Sequence, residues 1–242
     1  MKRPDFISPR DFALLCEKFG EGDGLTEAVG RLKNREPLAY ILGEWYFRNE
    51  TYRVTPDVLI PRPETEHIVE KVVSLCPRGG RILDLCTGSG CIAISSLCER
   101  KDITAAAVDI SEKALAIAKE NAVINGVSDR ISFVQADVLH GDKIEGKYDV
   151  IVSNPPYIRS DVIPGLEPEV QCEPKLALDG GEDGLDFYRA IEKYYTANLN
   201  DGGYTVFEIG YDQGQALSGM GYETFRDYSR NDRVAVKKRS ET

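Results

Sequence analysis

The feature that most constrains this chain is a regular alternation of short apolar segments with helical segments from residue 81 onward. Strands are predicted at 81–85, 104–109, 131–135, 148–153, 204–209, 223–228 and 233–237, and helices at 91–99, 112–125 and 185–199. Asn231 and Asp232 are predicted to form the turn between the last two strands. Alternation of this kind is typical of βαβ units, whose strands lie parallel in one sheet. We therefore expect an α/β fold with a mostly parallel, seven-stranded sheet.

The residues before this alternation predict a helical segment and a β-hairpin. A capped start at Ser8 begins a first helix, and a second helix over 25–35 ends before Pro37. Aromatic and β-branched residues over 40–55 predict a hairpin with Asn49 near its turn. The expected division is a helical segment (1–36), a hairpin linker (37–63) and the main domain (64–242).

Composition narrows the class of protein. Asp and Glu total 40 against 30 Lys and Arg, and the net charge of -10 disfavours binding to nucleic acid. No apolar run approaches the roughly 20 residues that span a bilayer, and the first ten residues lack a signal peptide, so we expect a cytoplasmic protein without membrane contact. The six cysteines lack CxxC spacing and are expected to be small buried residues, with no metal site.

A glycine-rich loop follows the first strand of the main domain. Its residues are Cys86, Thr87, Gly88, Ser89 and Gly90, preceded by Asp84. Such a loop, leading from a strand into a helix, lets a ligand approach backbone N–H groups. The dinucleotide spacing G-x-G-x-x-G is absent because Cys86 and Ala93 occupy glycine positions. Asp84 suits a ligand with a cationic amine and a sulfonium rather than a pyrophosphate.

Two further acids end the next two strands. Asp109 lies about 20 residues after the loop, where a carboxylate accepts both hydroxyls of a ribose. Asp137 is placed to accept from an adenine amino group. Any one of these acids is also compatible with a solvated strand end, but three at successive strand ends predict a site for an adenosyl group.

The fourth strand of the series is followed by Asn154, Pro155, Pro156 and Tyr157. Alone, this sequence is also compatible with a simple turn. The Asn154 side-chain oxygen and the Pro155 carbonyl can accept both N–H bonds of a planar NH₂ group, and Tyr157 can stack on it. Because an amide nitrogen becomes acidic as it gains a methyl group, such a site needs no strong base.

The loop at 84–90 together with residues 154–157 resembles the class I amino-methyltransferases. Residues 36–43, 59–66 and 177–185 narrow the resemblance to the peptide chain release factor glutamine methyltransferases, over about residues 33–242. The resemblance implies a Rossmann-like fold and methyl transfer from S-adenosylmethionine, leaving S-adenosylhomocysteine. The implied acceptor is the glutamine of the Gly-Gly-Gln motif of release factors, which would be the protein partners.

The resemblance also implies roles for individual residues. The cofactor residues are Asp84, Cys86, Thr87, Gly88, Ser89, Gly90, Asp109, Asp137, Val138 and Asn154. The glutamine is held, and the transfer promoted, by Asn154, Pro155, Pro156 and Tyr157. Arg62 and Glu64 are expected to line the substrate channel, with an ion pair or a helix cap as the alternative.

Two departures from the family pattern are visible. Only about 36 residues precede the hairpin, where the family usually has a larger helical domain that helps to hold the release factor. Cys86 stands where many members have glycine, and we expect it to adopt an ordinary backbone angle and to crowd the cofactor slightly.

Three other functions remain open from the sequence. A glutamine methyltransferase for a ribosomal protein would share the pocket and differ only in its docking surface. An exocyclic amine of a nucleic-acid base presents the same planar NH₂ group. A binding module with the same fold but no catalytic activity is disfavoured because the strand-end acids and Asn154 are all present.

Overall fold

The computed structural model describes residues 2–240 and builds the predicted alternation into one main sheet. Its helices are α1 (Pro9–Phe19), α2 (Asp23–Lys33), α3 (Leu38–Leu42), α4 (Glu66–Leu75), α5 (Cys91–Glu99), α6 (Glu112–Ile124), α7 (Pro168–Gln171), α8 (Asp186–Tyr194) and α9 (Gly214–Gly219). Its strands are β1 (Glu44–Phe47), β2 (Glu50–Arg53), β3 (Arg81–Leu85), β4 (Thr104–Asp109), β5 (Ile131–Gln135), β6 (Tyr148–Ser153), β7 (Leu199–Glu208), β8 (Glu223–Arg226) and β9 (Asp232–Lys238).

The main sheet has seven strands in the order β5-β4-β3-β6-β7-β9-β8. Strands β3 to β7 pair in parallel, whereas β9 lies antiparallel between β7 and β8. The expected α/β fold with a mostly parallel sheet is therefore confirmed. Strand β3 pairs with β4 on one side and with β6 on the other, so the winding of the chain reverses there. Open α/β sheets bind ligands outside the carboxyl ends of the strands at such a point.

Successive residues of β3 face opposite sides of the sheet. Ile82 packs with α4 and α5, whereas Leu83 and Leu85 pack with residues of α8 and α9. All three side chains are fully buried. A parallel strand covered on both faces reads as a nearly continuous apolar run, which is why the sequence located β3 so closely.

Several boundaries toward the end of the chain differ from the prediction, and α8 ends at Tyr194 rather than at 199 and β8 at Arg226 rather than at 228. Strand β7 begins at Leu199 rather than at 204, because Leu199 pairs with Tyr148 before the register shifts. The last turn lies at 227–231, and Asp232 already belongs to β9. The expectation that Asn231 and Asp232 form the turn was therefore correct only for Asn231.

The N-terminal helices share an apolar cluster with α3. Leu15, Leu25 and Ile41 are buried in it, and Trp45 packs both against this cluster and against a second one under residues 54–60. Residue 40 was expected in the hairpin, but Tyr40 lies in α3 and its hydroxyl donates to the Val58 carbonyl over 2.7 Å. The N-terminal segment thus packs against the hairpin and the loop that follows it.

The cysteines differ in exposure. All six are free thiols, and Cys76 and Cys91 are buried as expected, but Cys172 is exposed, so the expectation was wrong for that residue. Within residues 2–240 no three His, Cys, Asp or Glu side chains are grouped to hold a metal ion. No helix in the same range is long and apolar enough to cross a membrane.

One buried amide fastens the hairpin to the main domain. Asn121 of α6 accepts from the Arg53 backbone N–H over 2.7 Å and donates to the Arg53 carbonyl over 3.1 Å. Its Nδ2 also donates to the Ser89 carbonyl over 2.9 Å, in the glycine-rich loop. One fully buried side chain therefore positions both the hairpin and that loop.

We expect Asn121→Ala to destabilise the protein by about 2–4 kcal/mol, because it leaves the partly buried N–H and carbonyl of Arg53 and the buried carbonyl of Ser89 without this partner. Urea unfolding measures the loss, and hydrogen exchange at the Arg53 amide should accelerate. Val123→Ala, at an exposed position of the same helix, is the control and should change stability by less than about 0.5 kcal/mol. Equal stability of Asn121→Ala and Val123→Ala would contradict the fastening role.

Candidate active site

A cavity of about 260 Å³ opens at the carboxyl ends of β3, β4, β5 and β6. The predicted site residues among those lining it are Arg62, Cys86, Thr87, Gly88, Ser89, Asp109, Asp137, Val138, Asn154 and Pro156. Residues far apart in the sequence thus meet in one place, as the parallel topology requires. Their individual roles stay predictions.

Gly90 and Gly88 occupy different positions in the loop. Gly88 lines the cavity, and a Cβ added to it would meet no atom within 4 Å. Gly90 precedes α5 and is not among the lining residues; a Cβ there would lie 2.8 Å from Ile94 Cδ1 and 3.2 Å from Ala118 Cβ. Its φ of 82° also favours glycine. Gly90 therefore allows α5 and α6 to pack closely, behind the predicted cofactor surface.

Asp84 lies beneath the loop rather than on the cavity wall. Its side chain is fully buried, and Oδ2 accepts from the Thr87 hydroxyl over 2.6 Å and from the Ala93 N–H over 3.3 Å. Oδ1 has no hydrogen-bond partner within the described part of the chain. Burial raises the pKa of Asp84 to about 7, although the bonds from Thr87 and Ala93 act in the opposite direction.

Asp109 connects the two loops that border the cavity. Its Oδ2 accepts from the Gly88 N–H over 2.9 Å, and its Oδ1 accepts from the Ser111 N–H over 2.9 Å. Burial raises the pKa of Asp109, and these backbone bonds oppose the rise. The carboxylate is thus held rigidly at the cavity wall, with lone pairs left for a ligand's hydroxyl groups.

Asp137 is held by His140, which was not among the predicted site residues. Oδ1 accepts from the His140 backbone N–H over 3.0 Å, and Oδ2 lies 2.8 Å from His140 Nδ1. Burial acts to raise the pKa of Asp137, but the hydrogen bonds from His140 outweigh it and lower the pKa. His140 itself lines the cavity. Its position three residues after a strand-end acid was the available signal.

Cys86 does not adopt the ordinary backbone angle that was expected. Its φ is 58°, in the left-handed region that favours glycine. A non-glycine residue there costs about 1–2 kcal/mol because Cβ approaches the following carbonyl oxygen. The turn from β3 into the loop requires this angle, so Cys86 takes a conformation that glycine would adopt without that cost.

A second cavity of about 80 Å³ adjoins the first. Pro155 and Tyr157 line only this smaller cavity, Pro156 lines only the larger one, and Asn154 lines both. The four residues after β6 therefore stand between two spaces.

Arg62 and Glu64, which were predicted together, separate in the structure. Arg62 lines both cavities and forms an ion pair with Glu173, whose Oε2 also accepts from the Ile60 N–H over 3.1 Å. Glu64 is exposed and is absent from the lining of either cavity, so its place in the substrate channel stays a prediction. The pair with Glu173 fixes the loop containing Arg62 against the segment before α8.

Thr65 and Glu208 are site residues that sequence reasoning missed. Glu208 lines the smaller cavity, and its buried carboxylate accepts from the Thr65 hydroxyl over 2.7 Å and from the Tyr157 hydroxyl over 3.2 Å. Burial raises the pKa of Glu208, against the hydrogen bonds from Thr65 and Tyr157 and the charge of Arg233. An acid at the carboxyl end of β7 follows the strand-end rule that identified Asp109.

The fold and the site together define a methyltransferase of the Rossmann-like class. A family model described as "Methyltransferase small domain" matches residues 64–163. A solved methyltransferase from Pyrococcus furiosus shares the fold, with a TM-score of 0.57 at 16% identity over 89% of this chain and 99% of that one.

Curated relatives identify the family more narrowly. A release factor glutamine methyltransferase of Caulobacter vibrioides is 41% identical over 88% of this chain and 76% of its own length. One from Fusobacterium nucleatum is 40% identical over 88% of this chain, but this chain spans only 62% of that relative. The chain belongs to the release factor glutamine methyltransferase family. The expected family is thus confirmed, and with it S-adenosylmethionine as the cofactor.

The residues of the larger cavity fit that cofactor. The carboxylates of Asp109 and Asp137 provide negative charge and acceptors for a cationic ligand with hydroxyl and amino groups, whereas Asp84 supports the loop from beneath. Val138 and Phe187 add apolar wall suited to a flat ring. Arg62, the one arginine in the lining, forms an ion pair with Glu173. Among the described residues of the cavity wall, no unpaired guanidinium is therefore present to bind a phosphate.

We expect Cys86→Gly to be more stable than Cys86→Ala by about 1 kcal/mol, because alanine keeps the Cβ that the left-handed angle disfavours. Urea unfolding of both variants measures the difference. At Cys98, inside helix α5, the same pair should show the opposite sign, with alanine favoured by about 1 kcal/mol. If alanine were the more stable replacement at Cys86 as well as at Cys98, the Cys86 backbone would not be strained.

We expect Asp84→Asn to gain stability over the wild type as the pH rises from about 4 to 7. The folded pKa of about 7 lies above the ordinary 3.8, so the wild-type contribution is complete below pH 4 and is lost toward pH 7. The shift limits the gain to about 4 kcal/mol at ~1.4 kcal/mol per pKa unit. Thermal unfolding across this range measures it, with the exposed Asp129→Asn as control. A pH-independent difference would contradict the buried-acid interpretation.

Proposed function

We propose that this chain transfers the methyl group of S-adenosylmethionine to the side-chain amide nitrogen of the glutamine in the Gly-Gly-Gln motif of peptide chain release factors. The observation that carries the proposal is the position of Asn154, which borders both the cofactor-sized cavity and the smaller one. The methyl donor would lie in the larger cavity and the glutamine side chain in the smaller.

The chemistry of an amide acceptor suits these residues. An amide nitrogen is a weak nucleophile because its lone pair is delocalised into the carbonyl, so the catalyst must hold and aim it. The Asn154 side-chain oxygen and the Pro155 carbonyl receive no hydrogen bond from the described residues, which leaves both as acceptors for the two amide N–H groups. The prolines keep that pair of acceptors at a fixed separation.

Proton removal needs no dedicated base in this arrangement. The nitrogen becomes strongly acidic as its bond to the methyl carbon forms, so the proton leaves to an acceptor or to water after the barrier has been passed. Tyr157, at the wall of the smaller cavity, offers its ring to the planar amide. The residues of this chain therefore contribute orientation and hydrogen-bond acceptance.

The names of the relatives support release factors as substrates. At about 40% identity over most of this chain, they are release factor glutamine methyltransferases. A release factor works at the ribosome, so we infer that the reaction takes place in the cytoplasm. The net charge of -10 favours a protein substrate over a nucleic acid.

The test is methyl transfer from labelled S-adenosylmethionine to a purified release factor. We expect label on the natural factor and none on a factor whose Gly-Gly-Gln glutamine is replaced by alanine. Asn154→Ala should bind the cofactor within a few-fold of the wild type and lose transfer by about 100-fold or more, the scale for removing one oriented group from an active site.

The controls separate the alternatives. Asn49→Ala, in the exposed hairpin turn, should transfer methyl groups as the wild type does. Label on neither factor while the cofactor still binds would overturn the release factor assignment, and ribosomal proteins and nucleic acids would then be tested. Full activity of Asn154→Ala would overturn the proposed acceptor site.

A further inference from the structure

A chain of buried hydrogen bonds lies directly behind Asn154. Asn154 Nδ2 donates to the Thr65 hydroxyl oxygen over 3.3 Å, and the Thr65 hydroxyl donates to Glu208 Oε2 over 2.7 Å. Thr65 and Glu208 are each 1% exposed. Three separate elements meet in this chain: the turn at Pro63–Thr65 before α4, the loop after β6, and the end of β7.

The direction of each bond in the chain follows from the groups involved. When Glu208 is ionised, its carboxylate accepts hydrogen bonds and has none to give, so the Thr65 hydroxyl directs its proton toward Glu208. The lone pairs of the Thr65 oxygen then face Asn154, and only the NH₂ end of the Asn154 amide can donate to them. With the amide turned by 180°, its oxygen would lie against another acceptor.

From this geometry we propose that Thr65 and Glu208 are positioning residues for methyl transfer, which fix the end of the Asn154 amide that faces the acceptor. The inference rests on the proposed function, since it assigns Asn154 Oδ1 to the glutamine amide. Thr65 also borders the larger cavity and Glu208 the smaller one, and the proposal assigns both an effect through Asn154 rather than a bond to either ligand. Each acts by keeping the Asn154 oxygen turned toward the space shared by the two cavities.

Glu208 is itself held in place and holds a second group of the same loop. Its Oε1 accepts from the Tyr157 hydroxyl over 3.2 Å, and its backbone carbonyl accepts from the Tyr188 hydroxyl over 2.8 Å. One buried carboxylate therefore anchors both ends of the segment from Asn154 to Tyr157. A buried acid is costly unless it is well hydrogen-bonded, which fits a group that serves to orient its neighbours.

The pair Thr65→Val and Thr65→Ser tests the proposal. Valine keeps the shape of threonine but has no hydroxyl, whereas serine keeps the hydroxyl. We expect Thr65→Val to lower kcat about 10- to 100-fold with cofactor affinity unchanged, and Thr65→Ser to stay within about threefold of the wild type. Thr205→Val removes another buried hydroxyl, on β7 away from Asn154, and should keep the wild-type kcat.

A double variant tests whether the two residues act through one path. Glu208→Gln offers one acceptor oxygen to two hydroxyl donors, so it too should lower kcat. Because both changes break the same chain, Thr65→Val with Glu208→Gln should lose little more than the larger single loss. Fully multiplicative losses, or a kcat of Thr65→Val within twofold of the wild type, would overturn the proposal.

An activity-independent readout distinguishes this proposal from the proposed function. The side-chain NH₂ signals of Asn154, identified in NMR spectra by their loss in Asn154→Ala, should shift and exchange faster in Thr65→Val and stay in place in Thr65→Ser. Unchanged signals in Thr65→Val would overturn the hydrogen-bond chain. If the wild type failed to label the release factor while these shifts were seen, the substrate would be wrong and the orientation of Asn154 would stand.

Discussion

The parallel pairing of β3 with both β4 and β6 is the constraint on which the site depends. Leu85, the last residue of β3, lies beside Val108 of β4 and Ser153 of β6. The residues that follow these two in the chain are Asp109 and Asn154. They therefore stand one position beyond the end of β3, where the glycine-rich loop begins. Main-chain hydrogen bonds between the strands therefore set the relative positions of Asp109 and Asn154. Most surface substitutions leave these bonds unchanged.

Unfavourable features are concentrated at that same edge of the sheet. Asp84 is a buried acid with one unpartnered oxygen, Cys86 holds a left-handed backbone angle, and Glu208 is a second buried acid. Each costs on the order of 1–3 kcal/mol and persists only where the surrounding packing determines the conformation. The apolar strands on both faces of the sheet provide that packing. Strain and buried charge that gather around one cavity are typical of a site that binds and orients ligands.

The sequence predicted the central strands well and the concealed parts of the site poorly. Strands β3, β4 and β6 lie at the predicted residues because buried parallel strands are short apolar runs, and the half-exposed edge strand β5 was also located correctly. The five-residue helix α3 was missed since it is too short to show a helical period. The angle at Cys86 is imposed by the closure of the loop, which no residue pattern reveals. The contact of Thr65 with Glu208 joins residues 143 positions apart, beyond the reach of any local pattern.

Methyl transfer to an amide nitrogen and methyl transfer to an amine place different requirements on the enzyme. A lysine acceptor needs its proton removed to free a lone pair, whereas an amide nitrogen has no proton that is easily lost and no free lone pair to expose. Catalysis then depends mainly on orienting the acceptor amide. The Asn154 side-chain amide can do so only if it does not rotate by 180°. Thr65 and Glu208 prevent this by hydrogen bonding alone. Because they come from the turn before α4 and from β7, the alignment of those two elements becomes part of the catalytic geometry.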